Sequence, residues 1–258
     1  DLGRVCREHG ALLQVDATAT LGGMPLRVDA WQIDCATGGL QKCLAGPPGA
    51  APLTISDGVA DAVYRRRHVE EGLRPASYVP GEGPIVRSNY FDLAMLIDYW
   101  SDLGLNHHTE ATSMLYAARE CARLFESEGH DAVHRRHALA GAAVVAGVEA
   151  MGLKLFGERT HKMPNVTGVY IPDGVAGDRV RNALLTEFNI EIGTSFGPLH
   201  GRIWRIGTMG INAREDAVLA TLGALEAVLA GEHVKLRRGA AVDAARALYR
   251  DAGRSGTG

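Results

Sequence analysis

Cysteine is sparse and unpatterned: the 258 residues hold four, Cys6, Cys35, Cys43 and Cys121, with no C-x-x-C spacing. Four thiols in a chain of this length do not make a disulfide framework, so reduced cysteines in a cytoplasmic protein are the expectation. Excess positive charge is also lacking. The 27 Lys and Arg face 30 Asp and Glu, a net charge of −3, so nucleic-acid binding would need a local basic patch. The one dense basic run, Arg65-Arg66-Arg67-His68, is followed at once by Glu70 and Glu71 and reads as a solvated helix face. No long apolar run exists either. The longest stretch free of Asp, Glu, Lys and Arg, residues 43–56, is broken by Gly and Pro, so no membrane span is expected. The residues open on Asp1 directly in a helix pattern, without a signal-peptide pattern, so a secreted protein is not the expectation.

What is present is a globular composition. Apolar residues make up 46% and charged residues 22%, which excludes disordered, collagen-like and coiled-coil chains. The length suits one to two domains with a real core. Residues 1–9 read as a helix, with Leu2, Val5 and Cys6 at helical spacing and Gly10 as its C-cap. The apolar run 11–15, ending on Asp16, predicts a fully buried parallel strand, and residues 33–36 and 52–55 predict two more. Between them, Ala45-Gly46-Pro47-Pro48-Gly49 can only be a loop. Helices are expected over 60–71, 90–103, 109–126 and 134–151. Leu93, Leu96, Ile97 and Trp100 share one inward face, and Leu115 and Ala118 are inward candidates. Strands over 153–156, 166–171, 190–193 and 203–206 then mix with helices over 178–188 and 213–230. Asn212 and Glu215 resemble a capping box. There is no internal repeat, and the Gly-rich tail is the only low-complexity tract.

Two residues stand out chemically. Asp16 ends an apolar strand, where it either caps the next turn or presents a carboxylate. Lys42 lies between two Gly- and Pro-rich turns, where it is either a surface lysine or a partly desolvated, nucleophilic amine. A pyridoxal phosphate site needs both: a lysine for the Schiff base and an acid on the pyridine nitrogen, so that the ring can absorb the electrons of a carbanion. Arg205 lies in the apolar strand Ile203-Trp204-Arg205-Ile206-Gly207, where a buried guanidinium would need a partner. That partner is a structural Asp or Glu, or a substrate carboxylate gripped by the planar fork. His107 and His108 are not a metal pair, since adjacent side chains diverge and no third ligand is spaced to join them.

The run Leu13-Gln14-Val15-Asp16-Ala17-Thr18-Ala19-Thr20-Leu21-Gly22-Gly23, followed by Gln41-Lys42 and Pro47-Pro48-Gly49, resembles the class V, fold-type I aminotransferases. The nearest group is that of the alanine–glyoxylate and serine–pyruvate enzymes. Asn106-His107-His108-Thr109, Lys162-Met163-Pro164 and Trp204-Arg205-Ile206-Gly207 extend the resemblance along nearly the whole chain. It implies that Asp16 pairs with the pyridine nitrogen of pyridoxal phosphate. It implies that Lys42 forms the Schiff base and shuttles a proton to and from the substrate α-carbon. Thr18 matches the side chain against the ring face, Gln41 a phosphate ligand, and Thr109 and Asn106 residues that reach the site from the other subunit of a homodimer. Arg205 matches the arginine that binds the substrate α-carboxylate. Alanine–glyoxylate enzymes carry a tyrosine where this chain has Asn106. The Asn, with Gly39-Leu40-Gln41-Lys42-Cys43-Leu44 and Thr194-Ser195-Phe196-Gly197-Pro198-Leu199, resembles the bacterial (S)-ureidoglycine–glyoxylate aminotransferases of purine catabolism. An amide suits a ureido group because it both donates and accepts hydrogen bonds; lineage drift in a generic glyoxylate aminotransferase is the alternative.

Members of this family are longer at the front, and that part carries the aromatic ring that stacks on the cofactor and the turn that binds most of the phosphate. Nothing in these residues supplies either, so the chain looks like the last two-thirds of such an enzyme. The expected architecture is α/β: the back of a fold-type I large domain over 1–128, with a mixed, mostly parallel sheet, and a smaller α+β domain over 129–258. The expected activity is transamination with glyoxylate as acceptor. A serine– or alanine–glyoxylate aminotransferase is the runner-up, and a non-catalytic dimerisation fragment is the rival from another class.

Overall fold

The first helix, α1 (Leu2–Glu8), lies so close to the loop before the second strand that a side chain at Gly3 would collide with the Trp31 carbonyl. His9 caps it, and Gly10 turns the chain at φ 65. The computed structural model describes residues 1–67, 69, 71–81, 83–84, 86–102 and 104–255. These form two units. One comprises Asp1–Thr18, Leu26–Gly39 and Pro47–Ala118, the other Ala19–Pro25, Leu40–Gly46 and the chain from Arg119 onward.

In the first unit, β1 (Gln14–Asp16) pairs parallel with β2 (Cys35–Thr37), which pairs antiparallel with β3 (Leu53–Ile55). The register sets Asp16 opposite Thr37. The expected burial of β1 is not found. Gln14 and Asp16 are exposed and Val15 is half-buried, and among the described residues β1 pairs with β2 alone. The Asp34 carboxylate ties the strand ends together, accepting from the Leu13 amide at 2.8 Å and the Ser56 hydroxyl at 3.1 Å. Ser56 in turn caps α2 (Asp57–Tyr64), accepting from the Val59 amide. That cap starts the helix earlier than the charge pattern suggested. Arg65, Arg66 and Arg67 follow the helix rather than forming a face of it, and His68 and Glu70 of the basic run lie outside the described residues.

Helix α3 (Leu93–Tyr99) is shorter than expected, with Asp92 capping the Ala94 amide, and Leu103 lies outside the described residues. It buries Ala94 and Met95 rather than the predicted stripe; Trp100 is exposed. The Tyr64 hydroxyl donates to Asp98 at 2.9 Å, joining α2 to α3. Helix α4 (Thr112–Glu128) passes from the first unit to the second, and its buried residue is Cys121; Leu115 is exposed. Gly129, at φ 88, separates it from α5 (His130–Met151).

The second unit holds a large core. Val144, Val148 and Met151 of α5 cluster with Val169, Trp204, Leu222, Leu225 and Leu229. Strand β4 (Val166–Tyr170) pairs antiparallel with β5 (Ile203–Gly207), and α6 (Gly177–Phe188) lies between them in sequence. The stretches around 153–156 and 190–193 contribute only the single bridges Leu155–Val169 and Gly193–Arg205. Helix α7 (Glu215–Gly231) starts at Arg214, so the Asn212 cap does not form; Asn212 ends a 3-10 turn, Gly210–Asn212. A last helix, α8 (Ala240–Ser255), packs on α5 and α7 with Ala241 and Ala245 fully buried. It lies beyond the helices expected from sequence, although Ala241, Ala245, Leu248 and Tyr249 recur at helical spacing on the face that meets the core. Residues 256–258 of the Gly-rich tail lie outside the described residues.

Candidate active site

Asp16 closes β1, and the ladder continues one residue further through the Ala17 amide to the Thr37 carbonyl at 2.8 Å. The chain then turns, and the Thr18 amide donates to Asp16 Oδ1 at 2.8 Å. Hydrogen bonds from the Thr18 hydroxyl, then from its amide, hold the Asp16 carboxyl below its ordinary range. The strand end thus presents an ionised carboxylate at neutral pH. The Thr18 amide bond to Oδ1 is what the turn-capping reading expects.

Gln41 and Lys42 belong to the second unit. Their segment is a double turn: the Ala45 amide donates to the Lys42 carbonyl at 3.0 Å and the Gly46 amide to the Leu40 carbonyl at 2.8 Å. Leu40 and Cys43 are buried at 2% and 4% exposure, which anchors the segment while Lys42 stays partly buried and Gln41 exposed. The Lys42 ammonium has no ion pair and no hydrogen bond among the described residues, unlike a lysine spent on surface charge. Cys43 Sγ donates to the Ala19 carbonyl at 3.4 Å, and Asn165 Nδ2 donates both to Cys43 Sγ at 3.0 Å and to the Ala19 carbonyl. Burial pushes the Cys43 thiol up, keeping it a thiol.

Arg205 is not buried as the apolar strand suggested. It is the outward residue of β5, between buried Trp204 and Ile206, because the strand alternates faces. Its backbone pairs with Gly193 at 2.8 and 2.9 Å, its Nε donates to the Thr194 carbonyl at 2.7 Å, and its guanidinium lies 5.4 Å from the Phe196 ring centroid. No carboxylate among the described residues pairs with it, so the structural-acid reading finds no support. One edge of the fork is held by protein and the terminal nitrogens remain for a carboxylate.

Asn106 and Thr109 lie on the first unit, both exposed, ahead of α4. The Asn106 side-chain amide lies beside the Glu110 carboxylate, and with its nitrogen assigned to that side it donates to Glu110 Oε1 at 2.8 Å. His107 and His108 meet at 2.9 Å between their Nδ1 atoms, with Tyr99 edge-on to His107 and Tyr90 and Trp100 against His108. Among the described residues no group of three or more His, Cys, Asp and Glu is placed to hold a metal ion.

Asp16 and Thr18 are thus brought together on one unit, as Gln41 and Lys42 are on the other. Taken unit by unit, the chemistry is compatible with pyridoxal phosphate: an ionised carboxylate and a hydroxyl on the first are of the kind that suits a pyridine nitrogen and ring, and an amine and an amide on the second are of the kind that suits an aldehyde and a phosphate. Sequence reasoning missed Asn165, His137 and Gly210. A buried His in an apolar helix and an Asn directly after Pro164 were the available signals.

The comparisons with known proteins agree. The pattern described as aminotransferase class-V matches residues 1–200. The chain is 51% identical over 98% of its length to an (S)-ureidoglycine–glyoxylate transaminase of Bacillus subtilis, of which it covers 61%. It is 33% identical over 86% of its length to an alanine–glyoxylate aminotransferase of Drosophila melanogaster, covering 54% of that protein. A crystal structure of ureidoglycine–glyoxylate aminotransferase from Bacillus subtilis superposes with a TM-score of 0.85 at 49% identity, covering 96% of this chain and 60% of that one. A pyridoxamine–pyruvate aminotransferase from Mesorhizobium loti gives 0.81 at 28% identity, covering 97% and 60%. The chain therefore spans about three-fifths of the length of these relatives. With the family pattern over residues 1–200 and 51% identity along 98% of the sequence, the chain belongs to the class-V aminotransferase family, on the fold-type I scaffold.

Proposed function

We propose that the protein is a pyridoxal phosphate-dependent aminotransferase that moves an amino group from (S)-ureidoglycine to glyoxylate, giving oxalurate and glycine in purine catabolism. The observation that carries this reading is the 51% identity over 98% of the chain to an (S)-ureidoglycine–glyoxylate transaminase. The bound cofactor would supply an electron sink for the substrate α-carbon. Asp16, kept ionised by Thr18, would hold the pyridine nitrogen protonated; Thr18 would contact the ring and Gln41 the phosphate. Lys42 would hold the cofactor's aldehyde and would carry the proton to and from the substrate α-carbon. Arg205 binds the α-carboxylate of donor and acceptor in turn through its terminal nitrogens. Asn106 meets the ureido tail, and Thr109 the phosphate region, of a partner subunit's site. Their exposure on this chain leaves them open to a partner subunit, as a homodimer with shared sites requires; a cytoplasmic location belongs to the same reading, and residues 1–128 and 129–258 would be the large and small domains.

The alanine–glyoxylate relatives favour a second reading, the same chemistry with alanine or serine as donor. Two measurements test these. Visible absorbance that appears on adding pyridoxal phosphate and disappears in Lys42→Ala supports the enzyme; a lysine-independent spectrum leaves only the interaction-fragment reading. Comparing kcat/KM for ureidoglycine, alanine and serine against glyoxylate then selects the donor.

A further inference from the structure

Consecutive residues of α5 grip both polar groups of one glycine. His137 is fully buried, and its Nδ1 lies 2.8 Å from the Val133 carbonyl, one turn back on the same helix. A carbonyl can only accept, so Nδ1 carries the hydrogen and Nε2 keeps its lone pair. That lone pair accepts from the Gly210 amide at 3.0 Å. Arg136, clamped by the Glu128 carboxylate at 2.6 and 2.9 Å, donates from its other edge to the Gly210 carbonyl at 2.7 Å. Gly210 itself stands at φ 58, a conformation that favours glycine.

What Gly210 touches gives this grip its consequence. A Cβ built there would come within 2.8 Å of Ala45 Cβ and 3.0 Å of the Lys42 carbonyl oxygen. The glycine backbone therefore lies against the turn that the Ala45 amide closes onto that same carbonyl. No slack separates the two, so a shift of Gly210 must move the turn. We propose that His137 is a positioning residue for the reactive lysine: it fixes the Gly210 backbone, which fixes the Lys42–Ala45 turn and so the base of the Lys42 side chain. The proposal rests on the reading of Lys42 as the Schiff-base lysine. It goes beyond that reading by assigning the lysine's placement to a side chain on α5, 95 positions along the sequence from Lys42 (137 − 42).

Amide hydrogen exchange on the cofactor-free chain tests the grip directly. His137→Phe fills the space without an acceptor, and His137→Gln restores one. The Phe variant should speed exchange at the Ala45 and Gly46 amides by roughly 10- to 100-fold, with α7 amides unchanged and the Gln variant near the parent. Unchanged exchange at Ala45 overturns the proposal. Equal acceleration in α7 does too, since it marks an ordinary core residue. If His137→Phe does not fold, Gly210→Ala probes the same contact from the other side and should produce the same local acceleration. On the protein loaded with pyridoxal phosphate, the pH midpoint of the Lys42-dependent absorbance should shift in His137→Phe and return in His137→Gln. A midpoint equal to the parent's means that the turn is held without placing the lysine, and the proposal fails. Absorbance that survives Lys42→Ala removes the lysine reading instead, with the exchange data still reporting on the grip.

Discussion

Asn165 Nδ2 lies 3.0 Å from Cys43 Sγ, 122 positions away in sequence, and donates also to the Ala19 carbonyl. One fully buried amide thus joins the segment just past Thr18 to the residue just past Lys42. Asn165→Ala removes the amide donor from both the Ala19 carbonyl and the Cys43 sulfur, leaving the weaker 3.4 Å Cys43 Sγ contact to Ala19. It should cost about 1–3 kcal/mol of stability, measured by urea unfolding, and alkylation of Cys43 should accelerate. A parent-like unfolding midpoint would show that the amide is dispensable.

Asp16→Asn keeps an oxygen for the Thr18 amide, so the local turn should survive. A neutral amide cannot hold a proton on the pyridine nitrogen. Loss of the donor's α-hydrogen in a single turnover should slow by roughly 10- to 100-fold, with cofactor binding retained. Single-turnover rates equal to the parent's would remove Asp16 from the mechanism.

Arg205→Lys preserves charge and loses the planar fork, along with the Nε bond to the Thr194 carbonyl. Donor and glyoxylate should both bind more weakly, by about 1.5–3 kcal/mol in kcat/KM. If kinetics with both substrates stay unchanged, Arg205 is structural.

Asn106→Tyr replaces a two-way amide with a ring. Activity with ureidoglycine should fall by roughly 10- to 100-fold while alanine and serine hold steady or improve. The contact with Glu110 gives the contrary outcome its meaning. An equal loss with all three donors would assign Asn106 to shaping its own loop.

Burial lowers the pKa of His137 from the ordinary value of 6.5, with Arg136 and His134 opposing its charge and Glu128 favouring it. The folded-state value is the lower one, so between the two values the unfolded chain binds more protons and stability rises with pH. The thermal midpoint should therefore drop on acidification through about 6.5 and level off above it. His134, also lowered by burial, contributes in the same window, and Glu128, held down by Arg136, only below its ordinary 4.5. The His137→Phe variant should show a shallower slope between neutrality and pH 6 than the parent; equal slopes would mean that His137 is not neutral in the fold.

Much was legible in the order of residues. The Asp16-x-Thr18 strand end, the turn around Lys42 and the strand around Arg205 were visible because each is a local arrangement of a few neighbours. Helix ends were less so: Ser56 and Asp92 were the real caps, and Asn212 was not one, because a cap depends on where the chain enters the helix. Strand burial failed at β1, since alternation and apolar runs report what a strand could bury and not whether a neighbour covers it.

The sequence alone determined the family: the runs around Asp16, Lys42 and Arg205 carry the resemblance that the family pattern and the 51% identity bear out. Tertiary structure alone decided how the lysine segment is held. The partners of that segment, Asn165 and Gly210, stand more than 100 positions downstream, and Gly210 is itself fixed by His137 from 73 positions away. Hydrogen bonds across such separations leave no periodic or compositional trace. They arise only when folding brings a buried donor to the one acceptor within reach.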